Sequence, residues 1–343
     1  MPDGAIQVIA RRSAFAEVSE RYHDLRDGCE SRAATRSHGG MRHGGMRHGG
    51  MRLSGMRHGA LAAVIAMIVA SGCSAAPAAG HRHLGGIGAA GFWTRSRLIG
   101  ARPLRGGPLL PLPRQSATSH TALLVPLRVG ALFEHDGSGA HFCTASVVAS
   151  PGQDLLITAA HCINGGTGSG YRKDIVFIPG YHDGDAPYGV WTPRRLLVAP
   201  QWAESADPDF DVGFVVLQPR DGRNIEQVLG ANRLNVDSRY RYPVRVTGYP
   251  DSASAPISCR NWTSRQSASQ LRFECSGYAG GTSGSPWVIR FDPRSRTGTI
   301  VGVIGGYQEG GDTPSVSYSA YLGSAIHHLY EQAISGETGS GQG

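Results

Sequence analysis

From residue 129 onward, short apolar runs alternate with turn residues along the chain. The runs fall at 141–149, 155–160, 175–178, 191–198, 213–218, 242–248, 287–289 and 299–304. Short apolar runs punctuated by glycine, proline and aspartate are the pattern of an all-β barrel or sandwich. One stretch, 322–334, reads as helix, because Leu322, Ile326, Leu329, Tyr330 and Ala333 recur at helical spacing and would form a single packing face. His327 and His328 fall in it as surface and helix-end residues. Further upstream, 60–70 is an unbroken apolar run of eleven residues. A spanning helix needs about 20 such residues, whereas an export signal needs a core of about this length.

The pattern divides the chain into five parts. Residues 1–59 form a basic extension ending in repeats such as Gly40-Met41-Arg42-His43-Gly44. We read these as the positive flank of an export signal rather than a histidine metal site, and several of the methionines are candidate start points. Residues 60–73 are the signal core. Residues 74–128, rich in Ala, Gly, Pro and Arg, cannot bury enough apolar surface to fold alone. They are expected to be a disordered tether or a propeptide, with Arg114 and Arg128 as processing points. Residues 129–335 are the folded domain, and 336–343 a Gly-rich flexible tail.

The formal charge of +7 is unevenly spread. Residues 1–73 carry ten arginines against six acids, and 74–128 carry seven arginines and no acid. Residues 129–343 hold sixteen basic side chains against twenty acidic ones. The folded part is therefore mildly acidic, which disfavours nucleic acid as a partner, since phosphates call for a basic face.

Three strings carry candidate chemistry. Thr158-Ala159-Ala160-His161-Cys162 closes an apolar run, and Asp211 heads another, Val212–Leu217. Gly280-Gly281-Thr282-Ser283-Gly284-Ser285-Pro286 frames a serine with glycines, which allow a tight turn and bring bare N–H groups close to a substrate carbonyl. His161, Asp211 and Ser283 follow one of the chain orders in which a Ser-His-Asp triad occurs. Asp207 and Asp209 are rival acids. Four cysteines lie in the folded part, Cys143, Cys162, Cys259 and Cys275, a number that implies disulfides in an exported protein and permits three pairings; a zinc site is the alternative. No metal or other cofactor is expected, and Asp183 and Asp185 are read as loop residues rather than a calcium site.

With those strings in place, 129–335 resembles the chymotrypsin-fold serine endopeptidases, in the bacterial secreted branch near glutamyl endopeptidases and actinobacterial trypsin-like peptidases. The resemblance implies two six-stranded antiparallel β-barrels with a C-terminal helix, and Cys143–Cys162 and Cys259–Cys275 disulfides. It implies Ser283 as nucleophile, His161 as base, Asp211 as its orienting acid, and the N–H groups of Gly281 and Ser283 as the oxyanion hole. The substrate pocket falls at Gly277, Tyr278, Ile304 and Gly305. Gly277 stands where trypsins carry an aspartate and Ile304 where glutamyl endopeptidases carry a histidine, so a small or apolar substrate side chain is expected. Thr282 replaces the aspartate that often precedes the serine, so activation by a freed N-terminal amine is not expected. Ala70-Ser71-Gly72-Cys73 resembles a bacterial lipobox, with Cys73 as lipid anchor, although Ala70 stands where a larger aliphatic residue is usual; cleavage after Ala75-Ala76 or Ala78-Ala79 is the alternative. The expected protein is a monomer acting on peptide or protein substrate, secreted or held on the outer face of the membrane. The competing reading is a catalytically silent protease-fold lipoprotein that binds peptides or partners.

Overall fold

The computed structural model describes residues 81–82, 87–103, 117–122, 126–135, 140–237 and 239–335. The repeats, the signal core, Cys73 and the 336–343 tail lie outside these.

Four short strands precede the folded domain: β1 (His81–Arg82), β2 (Arg102–Pro103), β3 (Ala117–Thr118) and β4 (His120–Thr121). The first sheet is then built from β5 (Val129–Glu134), β6 (Ala140–Val147), β7 (Leu155–Thr158), β8 (Ile175–Pro179), β9 (Pro193–Val198) and β10 (Gly213–Leu217). Its order is β9-β10-β7-β6-β5-β8, with β1 added outside β9 and β2 beside β6. After β11 (Arg233–Leu234), the second sheet comprises β12 (Pro243–Gly248), β13 (Ile257–Arg265), β14 (Gln270–Ser276), β15 (Pro286–Asp292), β16 (Thr297–Val303) and β17 (Val316–Ala320). Its order is β16-β15-β12-β13-β14-β17, with β11 beside β16.

Each sheet thus has six principal strands and curls, but neither is a closed barrel. In the first, a single antiparallel bridge, Phe177 to Trp191, joins the two ends. In the second, the ends meet through the Val303 N–H to Ser319 Oγ (3.0 Å) and the Gly305 N–H to the Tyr318 carbonyl (3.0 Å), not through a ladder.

Successive side chains of a strand point to opposite faces, and β10 uses both. Val215 and Leu217 enter the core inside the first sheet with Leu132, Phe177 and Trp191. Phe214 and Val216 face a second cluster with Ile157, Ile300, Ile326 and Leu329. That cluster seats the C-terminal helix (Ser324–Ser335), which buries Ile326, Leu329 and Ala333. Leu322 is buried just ahead of it. Two short helices, Pro200–Ser205 and Ile225–Leu229, escape the sequence pattern because each is barely more than one turn; proline at the start of one and an Asn224–Gln227 capping box in the other fix them.

The described parts of 74–128 are folded against the sheets. Trp93 and Leu98 are buried with Phe133 and Tyr181. Strands β13 and β14 pair at Thr263–Arg265 and then splay apart. In the gap, β4 pairs with Ile257 and Ser258 while β3 pairs with Cys275 and Ser276. The Cys259–Cys275 disulfide ties the same two strands, and Cys143–Cys162 ties β6 to the short turn holding His161, the pairing that the resemblance implied.

Candidate active site

His161 sits in a short 3-10 turn at the end of β7, and Asp211 at the head of β10, the strand paired with β7. The pairing brings the two side chains together. The Asp211 carboxylate is fully buried, with Oδ2 2.8 Å from His161 Nδ1. Two further hydrogen bonds fix its position: its Oδ1 accepts from the His161 backbone N–H at 2.9 Å, and its Oδ2 accepts from the Gly306 N–H at 2.8 Å. The rival acids are occupied elsewhere. Asp207 caps its own turn by accepting from the Asp209 N–H, and Asp209 accepts from Gln270 Nε2 at 2.8 Å.

Burial pulls the His161 pKa down, but the charge and hydrogen bond of Asp211 raise it more, with Glu309 adding and Arg172 opposing. The net value lies above the ordinary 6.5. A carboxylate held dry against one ring nitrogen favours the imidazolium and fixes which nitrogen carries the proton.

The Ser283 loop is clamped between the sheets. Its carbonyl accepts from the Thr144 N–H of β6 at 2.7 Å, and the Gly284 N–H donates to the Ile304 carbonyl at 2.6 Å. Gly284 has φ +85°, and a Cβ there would lie 2.0 Å from the Thr144 carbonyl oxygen and 2.2 Å from Thr158 Oγ1. Only glycine allows this approach, which sets the loop against the end of the strand carrying His161. Gly281 also has positive φ, at +85°. Among the described residues the N–H groups of Thr282, Gly284 and Ser285 donate to carbonyls, and those of Gly281 and Ser283 have no recorded acceptor.

Thr282, in place of the acid expected from the resemblance, is buried and donates to the Ala279 carbonyl at 2.6 Å, a bond that needs no charged partner. Ser285 is buried too, and its Oγ lies where a Cβ on Gly248 would be, at 1.9 Å. That contact explains the glycine in the Gly248-Tyr249-Pro250 turn.

Beside Ser283 lies a cavity of about 160 Å³, lined by Tyr278, Thr282, Ile304, Glu309, Asp312 and Pro314 among others. Two of the expected pocket residues are not among its lining. Gly277 is turned away, with Ser119 Oγ 2.3 Å from where its Cβ would be, and Gly305 is packed against Asp211 and Ala159. Tyr278 lines the cavity, and its hydroxyl donates to the Val246 carbonyl at 2.9 Å. Glu309 and Asp312 went unread in the sequence because they sit in an irregular turn after β16, where neither periodicity nor a motif marks them.

No family model matches the chain. The protease Anisep from Arthrobacter nicotinovorans has a solved structure that superposes with a TM-score of 0.56 at 26% identity, covering 64% of this chain and 100% of that one. A thermostable serine protease, AL20, from an extremophilic microorganism superposes at 0.55 and 27% identity, covering 61% and 98%. Glu endopeptidase shares the fold at 0.50 and 16% identity, covering 64% and 97%. The fold is that of the bacterial chymotrypsin-like serine proteases. A curated relative, an extracellular metalloprotease of Bacillus subtilis, is 25% identical over 171 residues. The chain spans about half the length of that protein. Its name refers to a metal, and no site among the described residues fits one. Among the described residues, the single cluster of ligand-type groups is Cys143, His161 and Cys162. Its two sulfurs are bonded to each other, and His161 Nδ1 faces Asp211, so no set of free ligands is left in this chymotrypsin-like site.

Proposed function

We propose that the chain is an exported serine endopeptidase working through Ser283, His161 and Asp211. The observation that carries this reading is the buried Asp211 carboxylate held 2.8 Å from His161 Nδ1. A serine hydroxyl is too weak an acid to attack an amide unaided. His161 Nε2 takes the Ser283 proton as Oγ bonds to the substrate carbonyl carbon, and Asp211 stabilises the imidazolium. The carbonyl oxygen, now negative, accepts from the Gly281 and Ser283 N–H groups, each worth about 3–4 kcal/mol in the transition state. His161 then gives its proton to the departing amine, and water repeats the sequence on the acyl-enzyme. The small volume of the cavity supports a small side chain before the cleaved bond, with Ile304 offering apolar contact and Glu309 and Asp312 weighing against a bulky apolar one. Two disulfides and the apolar run at 60–70 support export.

The silent binding-module reading is disfavoured by the intact His161–Asp211 pair. The test is labelling of the full chain by a fluorophosphonate, with Ser283→Ala as control. Labelling that disappears in Ser283→Ala is expected; a folded, oxidised chain that never labels would sink the enzyme reading.

A further inference from the structure

Away from Ser283, on the far side of Pro286, lies a more enclosed cavity of about 390 Å³. Leu127, Val288 and Phe291 supply apolar wall, and Arg128, Arg245 and Arg296 supply charge. No carboxylate is among the described residues that line it. A cavity of this volume, mostly apolar with a few convergent polar groups, has the character of a small-molecule site.

The arginines are only partly satisfied. Arg128 Nη1 donates to the carbonyls of Ser295 (3.0 Å) and Arg296 (2.9 Å). The guanidinium of Arg245 lies over Phe291, 4.4 Å from the ring centroid. The Nε atoms of both Arg128 and Arg245 are buried within the protein with no hydrogen-bond partner among the described residues, and the Nε–Nη2 edge of Arg128 lies against Gly230. What the cavity offers a ligand is therefore the combined positive charge of three guanidinium groups, and a carboxylate is an anion that such groups hold through charge-assisted hydrogen bonds. Burial, and then Arg296, pull the Arg128 pKa below its ordinary value, with Glu226 opposing, so this cation gains by acquiring an anion.

We propose that this cavity binds a small amphipathic carboxylate, its head drawn to Arg245 with Arg128 and Arg296 adding charge, and its apolar body laid against Leu127, Val288 and Phe291. Inorganic phosphate would leave the apolar wall uncovered, and a neutral amphiphile would leave the charge of the three arginines without a counterion. The site is separate from the catalytic reading and stands or falls without it.

The test is calorimetric titration of the full chain carrying Ser283→Ala, which removes self-digestion from the measurement. Decanoate is expected to bind saturably at one site. Decan-1-ol and inorganic phosphate are each expected to bind at least tenfold more weakly. Arg245→Gln should weaken decanoate at least tenfold, and Arg245→Lys should do so by less, since it keeps the charge and loses the fork. If Arg245→Gln fails to fold, Arg245→Lys and Arg128→Lys carry the comparison. Absence of decanoate binding overturns the proposal, as does decan-1-ol binding equally (an apolar hole), phosphate binding equally (a bare anion site), or indifference to the arginine variants.

Discussion

Thr144 on β6 joins the two halves of the active site, and replacing it by valine isolates what that does. The residue is fully buried. Its Oγ1 donates to the Gly281 carbonyl at 2.9 Å and accepts from the Tyr249 N–H at 3.0 Å. Its own backbone holds the Ser283 carbonyl and accepts from Thr158 Oγ1 at 2.8 Å. Valine matches the shape and deletes both hydroxyl bonds, leaving a buried carbonyl and a buried N–H unpaired. At about 1–3 kcal/mol for each, the loss is ~2–6 kcal/mol of stability. For a domain of this size that lowers Tm by roughly 2–4 °C per kcal/mol. Gly281 is also the outer donor of the proposed oxyanion hole, and losing one such donor costs about 10²–10³ in kcat. The assay pairs thermal melting with kcat and KM on a peptide ester, across Thr144→Val and Thr144→Ser. Thr144→Ser, which keeps the hydroxyl, should recover most of both losses. A Thr144→Val protein that melts with the parent and turns over at the same rate would refute the reasoning.

Four further outcomes are expected. The His161 pKa is raised in the folded protein, so the acid limb of kcat/KM should fall above 6.5; Asp211→Asn should move it down, since burial and Arg172 then act with less opposition, while lowering kcat by several powers of ten. By the same linkage, His161 adds stability below its unfolded pKa that fades as pH rises through the folded value. His141 behaves oppositely: burial lowers it from 6.5 to about 4, so the folded state loses about 3 kcal/mol relative to neutral pH as pH falls through that window, and His141→Phe should flatten the acid side of a Tm–pH curve. Removing the Cys259–Cys275 disulfide with paired serines should cost about 3 kcal/mol in denaturant unfolding, and an unchanged midpoint would refute it.

Plainest in the sequence are the strands buried on both faces, β7, β8 and β10, whose residues are nearly all apolar. The missed β13, Ile257–Arg265, has one wet face carrying Arg260, Trp262 and Ser264, which breaks up any apolar run. The His161, Asp211 and Ser283 strings could be picked out because close backbone approach forces glycine and small residues into fixed spacing. The cavity wall at Glu309–Pro314 and the Thr144 contacts could not, because they arise where distant segments meet, and nothing local in the chain records a meeting across 137 residues.

The insertion of β3 and β4 between β13 and β14 separates two events that maturation usually joins. Were the chain cut after Arg128, the strand pairs of Ala117–Thr121 with Ile257, Ser258, Cys275 and Ser276 would not depend on that peptide bond. They would oppose release of the excised piece, which backs Gly277 through Ser119. A denaturing gel would then report a shortened enzyme while the native mass stayed the same.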